Sequence, residues 1–474
     1  MLFILLIEKM TDFLKTLIFL SIILFSISKD KEEWKTRAIY QLMTDRFATS
    51  DDSEPECILN QYCGGTHVGL KNHLDYIKEM GFDAIWISPI VKNTEGSYHS
   101  YHTIDFYGIN EHFGTEQDLF DLIEECHKND IWVMLDVVAN HIGPIGFDYR
   151  TINPFNSPEH YHDSCVITDW TNQKMVENCR LLDLPDLKHE NDFVSDELLR
   201  WIDYIIKRYN IDGIRVDTVP EVPKWFWKKF SKASGVYQIG EVFNGDVNYV
   251  AGYQECLDAL FNYPLSFKIK DAFGSTSEDK DKSMKLLKEH WDYARSIYKD
   301  PTVLGVFIDN HDNRRFLNEY KDRKKSLENA SIFTVFFEGI PVLYYGDEQY
   351  FDGGVDPENR EPLWGHYNKT STLYIEFSKA NKIRKNKKIW ETKLENFDCD
   401  EDFCSFTRED ILVAVTRGVE CNKTVKGHKF GIGDKICNIF NTEDCIIVEA
   451  DGIKLTMVGD PKVYVKEADL ELLK

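Results

Sequence analysis

The chain has 474 residues, 43% of them hydrophobic, enough for one large domain and a smaller one. Its formal net charge of -24 repels nucleic acid and anionic lipid surfaces and excludes both as partners, but leaves a neutral polymer open. The 30 Phe, 23 Tyr and 10 Trp serve core packing and also offer faces on which sugar rings stack.

In chain order, Lys15 precedes an apolar run from Leu17 to Phe25, and Ser26-Ile27-Ser28 follows as a small-residue cleavage site. The run is too short to span a bilayer, so residues 1–28 read as a secretory leader with Met10 as a candidate start. The first strand is expected at Ala38 to Met43, followed by one amphipathic helix with Leu70, Leu74 and Ile77 on its inner face. Ala84–Ile87 is the second strand. Thr115 with Asp118 is a capping-box pattern, opening a helix whose apolar face holds Leu119, Leu122 and Cys126. Ile131 to Val138 is nearly all apolar, as in a strand buried on both faces.

From His141 to about Glu190 the alternation stops, and the segment reads as an inserted small domain. It resumes with a helix from Asp196 to Tyr209. Strands follow at Gly213–Val216, Val236–Gly240, Ala259–Asn262, Thr302–Ile308 and Pro341–Tyr344, and a last helix spans about Thr372 to Lys387. Eight strand–helix units favour a closed (β/α)8 TIM barrel of the α/β class. After Trp390, short alternating runs predict a C-terminal antiparallel β-sandwich. The expected domains are the leader at 1–28, barrel at 29–140, inserted domain at 141–190, barrel again at 191–388, and β domain at 389–474.

Eleven cysteines fit an oxidising compartment. Cys57 with Cys63, Cys165 with Cys179, Cys399 with Cys404 and, more weakly, Cys437 with Cys445 are candidate pairs; sequence leaves the connectivity open. Cys126 reads as a buried free thiol. Asn368-Lys369-Thr370 and Asn422-Lys423-Thr424 are glycosylation sequons, and Asn329-Ala330-Ser331 matches too but opens a buried helix.

Chemistry concentrates where apolar strands end in carboxylates. Asp217 closes Gly213-Ile214-Arg215-Val216-Asp217, and Glu241 follows Gly240. Arg215 is expected to hold Asp217 ionised as a nucleophile. Glu241, with no cation beside it in sequence, is expected to keep a raised pKa and serve as acid and then base. Asp312, after His311, is expected at another strand end. Any one such acid is more often a helix cap or ion-pair partner; three in one barrel are not.

With Asp136-Val137-Val138-Ala139-Asn140-His141, Leu184-Pro185-Asp186-Leu187 and Asn310-His311-Asp312-Asn313, these motifs form an ordered set. The set resembles that of the α-amylase family of glycoside hydrolases (family 13), particularly the secreted fungal-type members. The resemblance implies Asp217 as nucleophile, Glu241 as acid/base and Asp312 as transition-state stabiliser. It implies Tyr101, His141, Arg215, His311, Asp356 and Arg360 as substrate-binding residues. It also implies a calcium ion held by Asn140, Asp186 and backbone oxygens of Glu177 and Glu221.

Two departures stand out. Pro220-Glu221 occupies the place where the family often has Lys-His, and His102 stands where tryptophan is usual. The implied activity is retaining endo-hydrolysis of α-1,4 bonds in starch or glycogen by a secreted monomer, outside the cell or in a digestive vacuole. The competing readings are an α-glucosidase or maltogenic hydrolase acting on short oligosaccharides, and a non-catalytic carbohydrate-binding barrel.

Overall fold

The structure, a computed structural model, describes residues 29–276, 278–279 and 282–474; the expected leader lies outside them. Eight parallel strands form one sheet: β1 Ile39–Gln41, β2 Ala84–Ile87, β3 Trp132–Val137, β4 Gly213–Val216, β5 Tyr237–Gly240, β6 Ala259–Leu260, β7 Gly305–Val306 and β8 Ile340–Tyr344. Neighbours in the chain are neighbours in the sheet, and β1 pairs with β8. A single bridge between Phe261 and Gly305 joins β6 to β7 and closes the ring. Every residue of β3 is buried, because the strand faces helices on one side and the barrel interior on the other. The interior is packed with Trp34, Trp86, Trp132, Met134, Tyr237 and Phe261 among others. Trp34 comes from a helix before β1, stacks on Tyr237 at 5.1 Å and donates its indole N–H to the Asp212 carbonyl at 3.1 Å. A Cβ on Gly213 would lie 2.6 Å from the Trp34 ring, so only glycine fits there.

Several local expectations are corrected. The helix expected through Leu70 and Ile77 breaks at His73 into His67–Asn72 and Leu74–Glu79; the His73 ring is held by Asp52 (2.8 Å) and stacked on Tyr367 (4.6 Å). The strand expected over Thr302–Ile308 shrinks to β7, because Asp300 caps the turn Pro301–Val303 through the Thr302 N–H. The helix expected from Asp196 starts at Asp192, where Asn191 accepts from the Phe193 and Val194 N–H groups. Asn329 lies inside the helix Lys324–Phe336, fully buried, which removes it as a glycosylation acceptor; Asn368 and Asn422 are exposed.

Between β3 and the helix Asp192–Tyr209 runs a segment of short turns held by bridges Tyr161 to Leu187 and Val166 to Arg180 and by the disulfide Cys165–Cys179. Disulfides also join Cys57 to Cys63, Cys399 to Cys404 and Cys437 to Cys445, while Cys126, Cys256 and Cys421 are free. The C-terminal part holds a six-stranded antiparallel sheet and a two-stranded ribbon, Glu420–Val425 with Ile453–Val458. The two pack over a shared core that includes Leu412, Ile436, Leu455 and Tyr464. Arg408 ties this part to the barrel by donating to the carbonyls of Phe336, Phe337 and Ile389.

Candidate active site

Strand register places the first charged groups. Asp136 of β3 sits directly opposite Arg215 of β4, and Val216 opposite Gly240 of β5. Asp217 and Glu241 therefore leave adjacent strands at the same level, about 4.8 Å apart in the sheet direction. Their backbones continue the ladder: Asp217 N–H donates to Val137 O (3.0 Å) and Glu241 N–H to Val216 O (2.8 Å). A Cβ on Gly240 would lie 2.5 Å from Leu257 and 2.9 Å from Val219, so glycine lets the strand pass closely just before Glu241.

Arg215 joins three carboxylates. Its Nη1 lies 2.6 Å from Asp217 Oδ1 and 3.0 Å from Asp136 Oδ1, and its Nη2 lies 2.9 Å from Glu241 Oε2. No cation stands beside Glu241 in sequence, but the neighbouring strand brings Arg215 to it, which sequence adjacency cannot show. Arg215 favours the charged form of Asp217, as expected, but burial outweighs it. Burial raises Asp217 to about 6 against the pull of Arg215, with the charges of Asp136 and Asp312 adding to the rise. Burial raises Glu241 further, to about 8, again opposed by Arg215 and assisted by Asp217 and Asp312. Asp217 therefore ionises before Glu241, the order that a nucleophile and a proton donor require.

The Glu241 carboxylate also accepts the backbone N–H of Thr218 at 3.0 Å. Thr218 has φ +47°, a left-handed conformation costly for a β-branched residue, so the turn after β4 stores strain beside the acid.

Asp312 lies in a loop six residues beyond β7, not at a strand end as expected. Its carboxylate is 3.3 Å from His311 Nε2 and 3.6 Å from Arg360 Nη2, and burial raises its pKa. Gln41 Nε2 lies 2.8 Å from His311 Nδ1, His311 Nε2 lies 2.8 Å from the Tyr101 hydroxyl, and that hydroxyl donates to Asp136 Oδ2 at 2.6 Å. This chain of bonds assigns the proton of neutral His311 to Nε2; burial and the charges of Arg215 and Arg360 keep the ring neutral. The Tyr101 ring stacks on His311 at 5.3 Å. Arg360 Nη1 pairs with Asp356 at 2.9 Å, and the Tyr98 hydroxyl contacts both residues. His141 is buried, with Nε2 3.1 Å from the Tyr101 carbonyl.

The structure thus brings Tyr101, Arg215, Asp217, Glu241, His311, Asp312, Asp356 and Arg360 into one connected network, with His141 at its edge. Asp136, Gln41 and Thr218 belong to it and were not singled out in sequence. Asp136 had a usable signal, a lone acid within a buried apolar strand. Gln41 and Thr218 had none.

Next to Glu241 opens a cleft of about 470 Å³ lined by Trp170, Leu181, Pro220, Phe243 and Tyr249. Trp170 and Phe243 are 57% and 53% exposed, large for aromatic side chains without a partner to cover them.

The expected calcium ligands can be tested by their donor atoms. The face of the Asn140 amide that bears its oxygen is 3.0 Å from Asp186 Oδ1 and 3.2 Å from the Glu221 carbonyl. Three oxygens pointing at one another repel, unless the amide turns over or a hard cation lies among them. This donor set fits calcium. Glu177 is nearby but not hydrogen-bonded to Asn140: its Oε1 accepts from Gln173 Nε2 (2.8 Å), which also donates to the Pro220 carbonyl (2.9 Å). Among the described residues no group of three or more His, Cys, Asp or Glu forms a metal cluster, so such a site depends on the amide and the carbonyl.

Comparisons with known proteins agree with this geometry. The family model described as "Alpha amylase, catalytic domain" matches residues 41–402. Alpha-amylase 1 of Lipomyces kononenkoae is 41% identical over 369 residues, 74% of this chain and 58% of that protein. Alpha-amylase 2 of Schwanniomyces occidentalis is 34% identical over 471 residues, 91% of this chain and 90% of that protein. The solved structure of an alpha-amylase from Malbranchea cinnamomea superposes with a TM-score of 0.89 at 35% identity, covering 93% of this chain and 98% of that one. A closed barrel, a family model matched over residues 41–402 and a relative matched over nine-tenths of both chains make one case: this chain belongs to the alpha-amylase family of glycoside hydrolases.

Proposed function

We propose that the protein is a retaining endo-α-1,4-glucan hydrolase acting on starch or glycogen. The observation that carries this reading is the single Arg215 guanidinium holding Asp217 on one nitrogen and Glu241 on the other. Acids placed side by side on neighbouring strands support the retaining route, in which the second carboxylate itself attacks the sugar. Asp217 attacks the anomeric carbon while Glu241 gives its proton to the departing glycosidic oxygen. A glycosyl ester of Asp217 forms and the C–O bond to the leaving sugar breaks. The Glu241 carboxylate then takes a proton from water, whose oxygen displaces Asp217 and releases the sugar with its original configuration. Asp312, His311 and His141 bind hydroxyls of the reacting sugar, Tyr101 packs on its ring face, and Asp356 with Arg360 hold the next glucose on the non-reducing side. Where calcium is bound, Asn140, Asp186 and the carbonyls of Glu177 and Glu221 hold it, and its charge ties the inserted segment to the barrel.

The leaving-group side differs from the family habit. Pro220-Glu221 stands in place of the cation and imidazole, and Trp170, Phe243 and Tyr249 line the cleft beside it, so sugars beyond the cleaved bond are held by stacking more than by a cation. The paired cysteines fit an oxidising, extracytoplasmic compartment, which supports secretion. The test is Glu241→Gln: starch hydrolysis is lost while the circular dichroism spectrum stays unchanged. Near-normal turnover would refute the assignment, and release of glucose alone from amylose would favour an exo-acting glucosidase.

A further inference from the structure

The helix after β4, Lys224–Ser234, has the sequence KWFWKKFSKAS. Phe226, Trp227 and Phe230 are fully buried against the barrel. Trp225, Lys228, Lys229 and Lys232 fall at i, i+3, i+4 and i+7 and are all exposed, Trp225 to 39%. They form one outward stripe about 10 Å long. Lys229 Nζ lies 5.0 Å from the Trp225 ring centre. Among the described residues none of the three lysines makes an ion pair, although the chain has 80 acidic residues against 56 basic ones. Helix-surface lysines elsewhere do pair, as Lys128 does with Glu124, Lys207 with Asp203 and Lys288 with Asp292. Unpaired like charges at i and i+4 are mildly destabilising, so the fold gains nothing from this arrangement.

The stripe begins near the catalytic mouth. Glu221 lines the cleft beside Glu241, and Trp225 follows it by four residues at the first turn of the helix. We propose that this stripe is a surface site for an α-glucan chain bearing phosphate monoesters, with Trp225 as the platform for a sugar face and Lys228, Lys229 and Lys232 as the phosphate contacts. The proposal rests on the glucan-hydrolase reading above. An aromatic ring suits sugar C–H faces, and ammonium groups on flexible stems suit phosphates of variable position. The alternative polyanion, a phospholipid surface, is disfavoured by charge and shape. A membrane would face the whole net charge of -24, and the stripe offers one apolar side chain for insertion. A linear glucan with sparse phosphates meets the stripe alone.

The test uses the full-length secreted protein carrying Glu241→Gln, so that the polymer is not consumed. Its retardation is measured in native gels containing phosphorylated amylopectin, or the same amylopectin after phosphatase treatment. Binding to the phosphorylated polymer is expected to be about tenfold tighter at low salt, from three exposed ion pairs, and the preference fades at high salt. Lys228→Gln/Lys229→Gln/Lys232→Gln removes the preference and, in the otherwise wild-type enzyme, leaves turnover of neutral maltoheptaose unchanged. Trp225→Ala weakens binding to both polymers. Equal binding of the two polymers, a preference that survives the triple change, or no effect of Trp225→Ala would overturn the proposal. So would lysine-dependent binding to phosphatidylcholine/phosphatidylserine vesicles. If the wild-type enzyme fails to cleave maltoheptaose, the parent reading fails instead, and the gel result still reads the stripe.

Discussion

Arg215→Lys probes the electrostatic centre of the site. The arginine makes charge-assisted contacts to Asp217 at 2.6 Å and Glu241 at 2.9 Å from two different nitrogens. A lysine keeps the charge but has one ammonium, which cannot span both acids. Losing one such contact costs about 1.5–3 kcal/mol, and each 1.36 kcal/mol is tenfold in rate, so kcat/KM should fall about ten- to 150-fold. The pH profile should move too. Arg215 pulls both carboxyl pKa values down. With that pull weakened, Asp217 ionises above its present value of about 6 and Glu241 above about 8, so both limbs of the profile shift to higher pH. The assay is kcat/KM on a chromogenic maltoheptaoside across the pH range, with circular dichroism to verify folding. A folded variant with an unshifted profile, or with less than about a threefold loss where 1.5 kcal/mol predicts tenfold, would refute the bridging role.

Three further outcomes follow from the same structure. Glu241→Gln should raise the melting temperature by an amount that grows from pH 4.5 to 8. Glu241 is raised from an ordinary 4.5 to about 8, so its stability contribution is full below the lower value and lost as pH rises through the upper one, while glutamine has no such loss; a pH-independent difference would contradict this. Chelation in metal-free buffer should lower the melting temperature, because a ligand at a hundredfold over its Kd contributes about 2.7 kcal/mol; an unchanged melting curve would remove calcium from the site. Phe243→Ala should raise KM for long glucans by about two- to tenfold, from a stacking loss of about 0.5–1.5 kcal/mol, and shift the first products from soluble starch; an unchanged product profile would take Phe243 out of the leaving-group side.

Sequence showed what period and punctuation encode. β3 is legible because a strand buried on both faces is nearly all apolar, and Asp217 and Glu241 because each ends such a run. It could not show what depends on register. That Arg215 reaches Glu241 follows from β4 and β5 lying side by side, and adjacency in space is not written in adjacency along the chain. The apolar residues from Val303 to Ile308 look alike whether paired or not, so the pattern predicts a longer β7, and only Asp300 with Pro301 marks the turn that displaces the strand. The same ambiguity makes Asp312 look like a strand-end residue. Gln41 ends a short strand with no unusual neighbour, and its bond to His311 spans 270 residues.

The central claim is that Asp217 and Glu241 act in turn on one glycosidic bond. Proton NMR of the first products released from maltoheptaose tests it most directly. The account predicts that the α-anomer appears first and the β-anomer only later, by mutarotation. Initial release of the β-anomer would place a water where Asp217 is held to attack, and would contradict the account.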